Sequence, residues 1–118
     1  MKNKRKVSAP RLAVIYTRST RGSEDDIANQ IATCVEFCSQ ARLIPAHVFM
    51  ASGSAESADC KENLAKVLQF CLDEKNMVAA LVVPSIDRIT RDTEKFFAIR
   101  DQLKARGMSL FGRVALEI

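Results

Sequence analysis

Apolar positions along the chain fall into short continuous blocks separated by stretches with helical spacing. Leu12 to Tyr16 is the first block, rich in β-branched and aromatic residues, and predicts a short buried strand. Arg18 to Asp26 is polar, contains Gly22, and reads as a loop. Ile27 to Arg42 predicts a helix whose apolar stripe is Ile27, Ile31, Cys34, Val35 and Cys38. Pro45 to Met50 predicts a second strand. Ala51 to Cys60, with Gly53, reads as a mobile loop of small and acidic residues. Lys61 to Asp73 predicts a second helix with Leu64, Val67, Leu68 and Cys71 inward. Met77 to Val83 is uninterrupted and apolar, as a strand covered on both faces must be. Thr93 to Arg106 predicts a third helix, with Gly107 in the position that closes helices. Met108 to Phe111 begins a fourth strand.

The order β-α-β-α-β-α-β implies parallel pairing with right-handed crossovers. The expected fold is therefore an α/β domain of three layers around a mainly parallel central sheet, spanning residues 11–118. Residues 1–10 are polar and basic, end at Pro10, and read as a flexible arm. There are no internal repeats. No phosphate-cradling glycine loop follows the first strand, since Gly22 stands alone.

Composition narrows the class. With 118 residues, 47% of them hydrophobic, the chain is one domain with a real core. No apolar run approaches a membrane span and no secretory signal opens the chain, so a cytoplasmic location is expected, with no membrane contact. The net charge is +4, much of it in Lys2, Lys4, Arg5 and Lys6. Such a tail can contact nucleic acid, but a disordered solubilising terminus is the simpler reading. Cys34 and Cys38 are spaced i,i+4, yet no set of Cys and His completes four metal ligands. We therefore read all four cysteines as reduced and packed, His47 as structural, and the site as free of metal and cofactor.

Two arginine clusters carry the candidate chemistry. Asp87-Arg88-Ile89-Thr90-Arg91-Asp92 follows the third strand and precedes a helix. Arg88 and Arg91, three apart, share one face of a helical turn, and Asp87 can orient one of them. Tyr16-Thr17-Arg18-Ser19-Thr20-Arg21 closes the first strand with hydroxyls beside its arginines. Guanidinium binds phosphate oxygens bidentately and keeps its charge at any working pH. Arginines at a helix start are most often a solvated face, and an Asp there is often a cap. Both clusters, however, sit at the C-terminal ends of expected strands, where ligands bind in open α/β sheets.

Taken together, the clusters resemble the catalytic domain of serine recombinases, the resolvase and invertase family, over nearly the whole chain. Asp87-Arg88-Ile89-Thr90-Arg91 is similar to the family's Asp-Arg-Leu-Ser/Gly-Arg signature. Tyr16-Thr17-Arg18 with the hydroxyls after it resembles Tyr-x-Arg-x-Ser. Asn29-Gln30, Ala51-Ser52-Gly53-Ser54 and Lys61-Glu62-Asn63-Leu64 resemble further family segments. The resemblance implies that a serine attacks a DNA phosphate, expels a 3′-hydroxyl and keeps the 5′ end until religation in a tetramer, without metal or nucleotide. It implies that Arg18, Arg88 and Arg91 clamp the phosphate near Thr20, that Asp87 orients them or handles a proton, and that Arg21 and Gln30 contact DNA. The partners expected are DNA and, at full length, a second or fourth copy of the chain.

Two departures bear on activity. The family's serine stands two residues after its first arginine, which here is Thr20, and Ser19 lies one residue early. Alternation along a strand points Thr20, not Ser19, to the side of Arg18 unless the strand bulges. Lys61 stands in place of an arginine, keeping charge but losing the bidentate fork. Hence three readings stand: an active recombinase domain, a catalytically degenerate relative that docks DNA or dimerises, and a small-ligand module of similar architecture. The family's long dimerisation helix and DNA-binding module are not in this sequence, so weak, salt-sensitive binding without sequence preference is expected of it.

Overall fold

An apolar run with no polar face must be covered on both sides, and the strand at Val78–Val83 is. In the computed structural model of the chain, the described residues are 11–19, 24–53, 57–85, 93–112 and 116–117. The elements are β1 (Leu12–Ser19), α1 (Glu24–Gln40), β2 (Ile44–Ser52), α2 (Ala58–Leu72), a single 3₁₀ turn (Glu74–Asn76), β3 (Val78–Val83), α3 (Thr93–Ala105), β4 (Ser109–Gly112) and β5 (Leu116–Glu117). The sheet order is β2-β1-β3-β4-β5, with the first four strands parallel and β5 antiparallel to β4.

Strand alternation divides the core in two. Val14, Tyr16, Leu81 and Val83 pack with Cys60, Val67 and Cys71 of α2 and Phe96 and Leu103 of α3. Ala13, Ile15, Ala80 and Val82 pack with Cys34, Phe37 and Cys38 of α1 on the other face. Three layers result, as the alternation of elements predicts.

Several boundaries differ from the sequence expectation, each for a tertiary reason. The first strand does not stop at Tyr16: Thr17, Arg18 and Ser19 continue it, paired with Met50, Ala51 and Ser52. β2 likewise extends through Ala51 and Ser52, which the sequence assigns to a loop, and α2 begins at Ala58 rather than Lys61. Ser57 caps α2 by accepting a hydrogen bond from the Cys60 amide at 3.2 Å. α1 begins earlier than expected. Its inward aromatic residue is Phe37, while Val35 is 39% exposed. The short β5 has no counterpart in the apolar pattern. Gly107 closes α3 as expected, at φ 77°, with the Gly107 and Met108 amides donating back to Lys104 and Leu103. The expected arm at residues 1–10 lies outside the described residues.

All four cysteines are free and buried. Burial pushes the Cys34 and Cys71 thiols up to about 12, with Cys38 adding to the effect on Cys34, so both stay neutral and inert at ordinary pH. His47, on the outer strand, sets its ring against Phe70 at 4.4 Å between centroids, a packing role. Among the described residues no helix is long and apolar enough to cross a membrane.

Candidate active site

The sheet order makes β1 and β3 neighbours whose connections leave in opposite directions, β1 towards β2 and β3 towards β4. A crevice opens at the C-terminal ends of two such strands, and that is where ligands bind in open parallel sheets. Ser19 ends β1 there and Val83 ends β3.

The end of β1 is polar and yet buried: Thr17, Arg18 and Ser19 are each at most 1% exposed. Buried polar groups demand partners, and each finds them. The Thr17 hydroxyl donates to the Phe49 carbonyl at 3.3 Å. One guanidinium nitrogen of Arg18, Nη1, donates to the Gly53 carbonyl at 2.9 Å. The Ser19 carbonyl accepts from the Gly53 amide at 2.9 Å. Gly53 thus ties the ends of β1 and β2 together through both its backbone groups. It sits at φ 106°, a conformation open to glycine. A side chain there would also press its Cβ to 3.2 Å from the Ser57 hydroxyl that caps α2.

Gln30 of α1 grips the same strand end from the other side. Its Oε1 accepts from the Arg18 amide at 3.1 Å, and its Nε2 donates to the Arg18 carbonyl at 2.9 Å. Nε2 also donates to Asp26 Oδ2 at 3.0 Å. With both amide hydrogens used inside the protein, Gln30 keeps none for a DNA phosphate in this arrangement.

Alternation sorts the side chains. Tyr16 and Arg18 project to the α2 and α3 face, whereas Thr17 and Ser19 project towards α1. The β1–β2 register shifts only between Ala13 and Val14 and is unbroken through Arg18 and Ser19, so no bulge turns Ser19 to the arginine side. Burial pushes the Tyr16 hydroxyl up to about 12, with Cys60 reinforcing and the positive charge of Arg18 opposing, so Tyr16 stays protonated there. The Cys60 thiol donates to the Ser52 carbonyl at 3.1 Å.

Of the residues singled out in the sequence, Arg18, Ser19 and Gln30 come together at this strand end. Lys61 stands exposed one turn into α2, whose amino terminus is capped beside Gly53. Thr20, Arg21, Asp87, Arg88 and Arg91 lie outside the described residues. Asp26 and Gly53 complete the cluster and were not singled out as site residues. The i,i+4 spacing of Asp26 and Gln30 is the signal that could have found the first. A backbone carbonyl such as that of Gly53 carries no such signal.

Comparison with known proteins agrees with this geometry. The family model described as the resolvase N-terminal domain matches residues 13–112. A resolvase family site-specific recombinase from Streptococcus pneumoniae superposes with a TM-score of 0.75 at 14% identity, over 91% of this chain and 75% of that one. A serine recombinase from Sulfolobus solfataricus gives 0.66 at 26% identity, over 87% and 68%. The N-terminal catalytic domain of TP901-1 integrase gives 0.69 at 17% identity, over 87% and 77%. No curated protein sequence matches the chain. With a family match over nearly all of its length and a fold shared with these catalytic domains, the chain belongs to the resolvase N-terminal domain family and is a DNA site-specific recombinase catalytic domain.

Proposed function

We propose that this domain cuts and rejoins DNA through a covalent ester to Thr20, assembled as a dimer or tetramer of the full-length protein. The Thr20 hydroxyl attacks phosphorus, forming a Thr20–phosphate bond as the bond to the 3′-oxygen breaks. The proton passes from the attacking hydroxyl, with Asp87 as its carrier, to the leaving 3′-oxygen. One ester replaces another, so the bond is conserved for religation by a new 3′-hydroxyl. Charge growing on the nonbridging oxygens is met by Arg18, Arg88 and Arg91, with Lys61 adding a point charge.

The observation that carries this reading is the unbroken register of β1 through Ser19. That register leaves Ser19 on the α1 side, away from the Arg18 side chain, and so leaves Thr20, two residues after Arg18 in the sequence, as the hydroxyl the family pattern assigns. Threonine is a hindered nucleophile, stiff at χ1, so slow cleavage is expected. The hindered nucleophile and the missing guanidinium fork at Lys61 also favour a second reading, a DNA-docking relative that does not cut.

Nicked duplex DNA incubated with the chain at low salt tests both. A slow covalent protein–DNA band whose adduct maps to Thr20 by mass spectrometry, accelerated by Thr20→Ser, supports the proposal. An adduct formed by Thr20→Ser alone supports the docking relative. An adduct on Ser19 overturns the assignment of the nucleophile.

A further inference from the structure

The geometry points to Asp26 as a positioning residue that acts through Gln30 on the peptide of Arg18. This inference rests on the proposed cleavage reaction, whose attacking hydroxyl follows Arg18 by two residues.

The Gln30 side chain is 6% exposed and meets both backbone groups of Arg18, N–H and C=O. A side-chain amide has nearly the same shape when its oxygen and nitrogen are exchanged, so only its partners choose the orientation. Here the choice is threefold. The Arg18 amide requires oxygen, the Arg18 carbonyl requires N–H, and the Asp26 carboxylate, which accepts only, requires the second N–H. Turning the amide over would set oxygen against carboxylate oxygen, oxygen against carbonyl oxygen and N–H against N–H. The carboxylate also polarises the amide it holds, strengthening the two bonds to the strand.

The pair lies on one turn of α1, one residue above the other. It therefore transmits the position of a rigid helix to the last residues of β1. That peptide needs the anchor because β3 pairs with β1 only from Leu12 to Ile15, so at Arg18 the Gln30 amide does what a strand partner does lower down. A tilt of this peptide would swing the residues that follow, and reaction rates fall steeply with small misplacements of a nucleophile.

The sign of the charge separates this role from DNA binding. A carboxylate beside a phosphate site repels the ligand, so nothing about DNA affinity calls for an acid at position 26. Its removal should leave affinity unchanged or slightly improved while the chemical step slows.

The experiment compares wild type, Asp26→Ala and Asp26→Asn. Single-turnover formation of the covalent adduct on nicked DNA is followed across DNA concentrations. Hydrogen exchange of the Arg18 and Ile15 amides is followed without DNA. Asp26→Ala should slow adduct formation at saturating DNA roughly tenfold, the scale of one charge-assisted hydrogen bond, with half-saturation unmoved. Asp26→Asn, which keeps an acceptor oxygen but loses the charge and the acceptor-only character, should recover part of the rate. Exchange at Arg18 should quicken by a similar factor while Ile15 is unaffected. An unchanged rate, a shift in half-saturation alone, or faster exchange at Ile15 as well as Arg18 would overturn the inference. If wild type forms no adduct, the cleavage reading fails by itself, and unchanged exchange at Arg18 then overturns the clamp separately.

Discussion

β1 and β2 lie side by side in the same sheet, paired from Leu12 with Ile44 to Ser19 with Ser52, and could hardly differ more in environment. In β1 every residue from Ala13 to Ser19 is buried; in β2 only Ala51 is. The ladder between them is shared, so the contrast comes from position: β1 has a strand on each side from Leu12 to Ile15 and Gln30 of α1 against Arg18 beyond that, while β2 is the edge. At the edge, polar groups turn to water, and the large apolar side chains of Ile44, Val48 and Met50 are exposed as well. Pro45 sits where the register shifts, leaving Ala46 out of the pairing, and such an interruption protects an edge from pairing with other chains. In the centre, a polar residue must be held by a specific partner. Thr17, Arg18 and Ser19 are the most deeply buried polar residues described, and they stand where the chemistry is proposed.

The contrast can be broken by substitution. Ile15→Ala, in the fully buried centre of β1, should destabilise the fold by about 2–5 kcal/mol in urea unfolding, while Val48→Ala at its paired position on β2 should cost about 1 kcal/mol or less. Equal costs would mean that β2 is covered and not an edge.

Alkaline pH sharpens it through the buried acids. Cys34 and Cys71, ordinarily near 9.0, and Tyr16, ordinarily near 10.0, are all raised to about 12 in the folded protein. Their contribution is whole below the unfolded values and is lost as pH rises through the folded ones, because the unfolded chain ionises first. Stability should thus be flat in these groups up to about pH 9 and fall between there and about pH 12. Urea midpoints on either side of pH 9, with thiol labelling that stays slow until unfolding, would check it; a midpoint that holds or rises would contradict the burial of the thiols.

Gln30→Leu removes three hydrogen bonds, two of them to the backbone of Arg18, which should cost about 1–3 kcal/mol. The loss should appear in urea unfolding, with faster hydrogen exchange at the Arg18 amide. Met50→Ala, at a side 61% exposed, should move stability by no more than about 0.5 kcal/mol.

The same contrast explains what the sequence discloses. Continuous apolar runs such as Leu12–Tyr16 and Val78–Val83 read directly as buried strands, because burial on both faces leaves no other composition. The extension of β1 through Ser19 is not legible, because Thr17-Arg18-Ser19 has the composition of a loop and is held as strand by Phe49, Gly53 and Gln30, all distant in sequence. Arg18, Ser19 and Gln30 were legible as site candidates from their chemistry and family pattern. Asp26 was not, because one acid among Glu24, Asp25 and Asp26 is distinguished only by which helix face meets the strand.

The proposed reaction places phosphate chemistry at the buried C-terminal end of β1 and not at the exposed edge or the opposite end of the sheet. Amide chemical shifts of the isotopically labelled chain, titrated with a short duplex at low salt, test it most directly. The largest changes should fall at Arg18, Ser19, Gly53, Ser57 and Lys61 and fade as salt rises, as counterion release requires. Changes concentrated at Val48 and Met50 along β2, or at Met77 and Arg106 at the far end of the sheet, would contradict it.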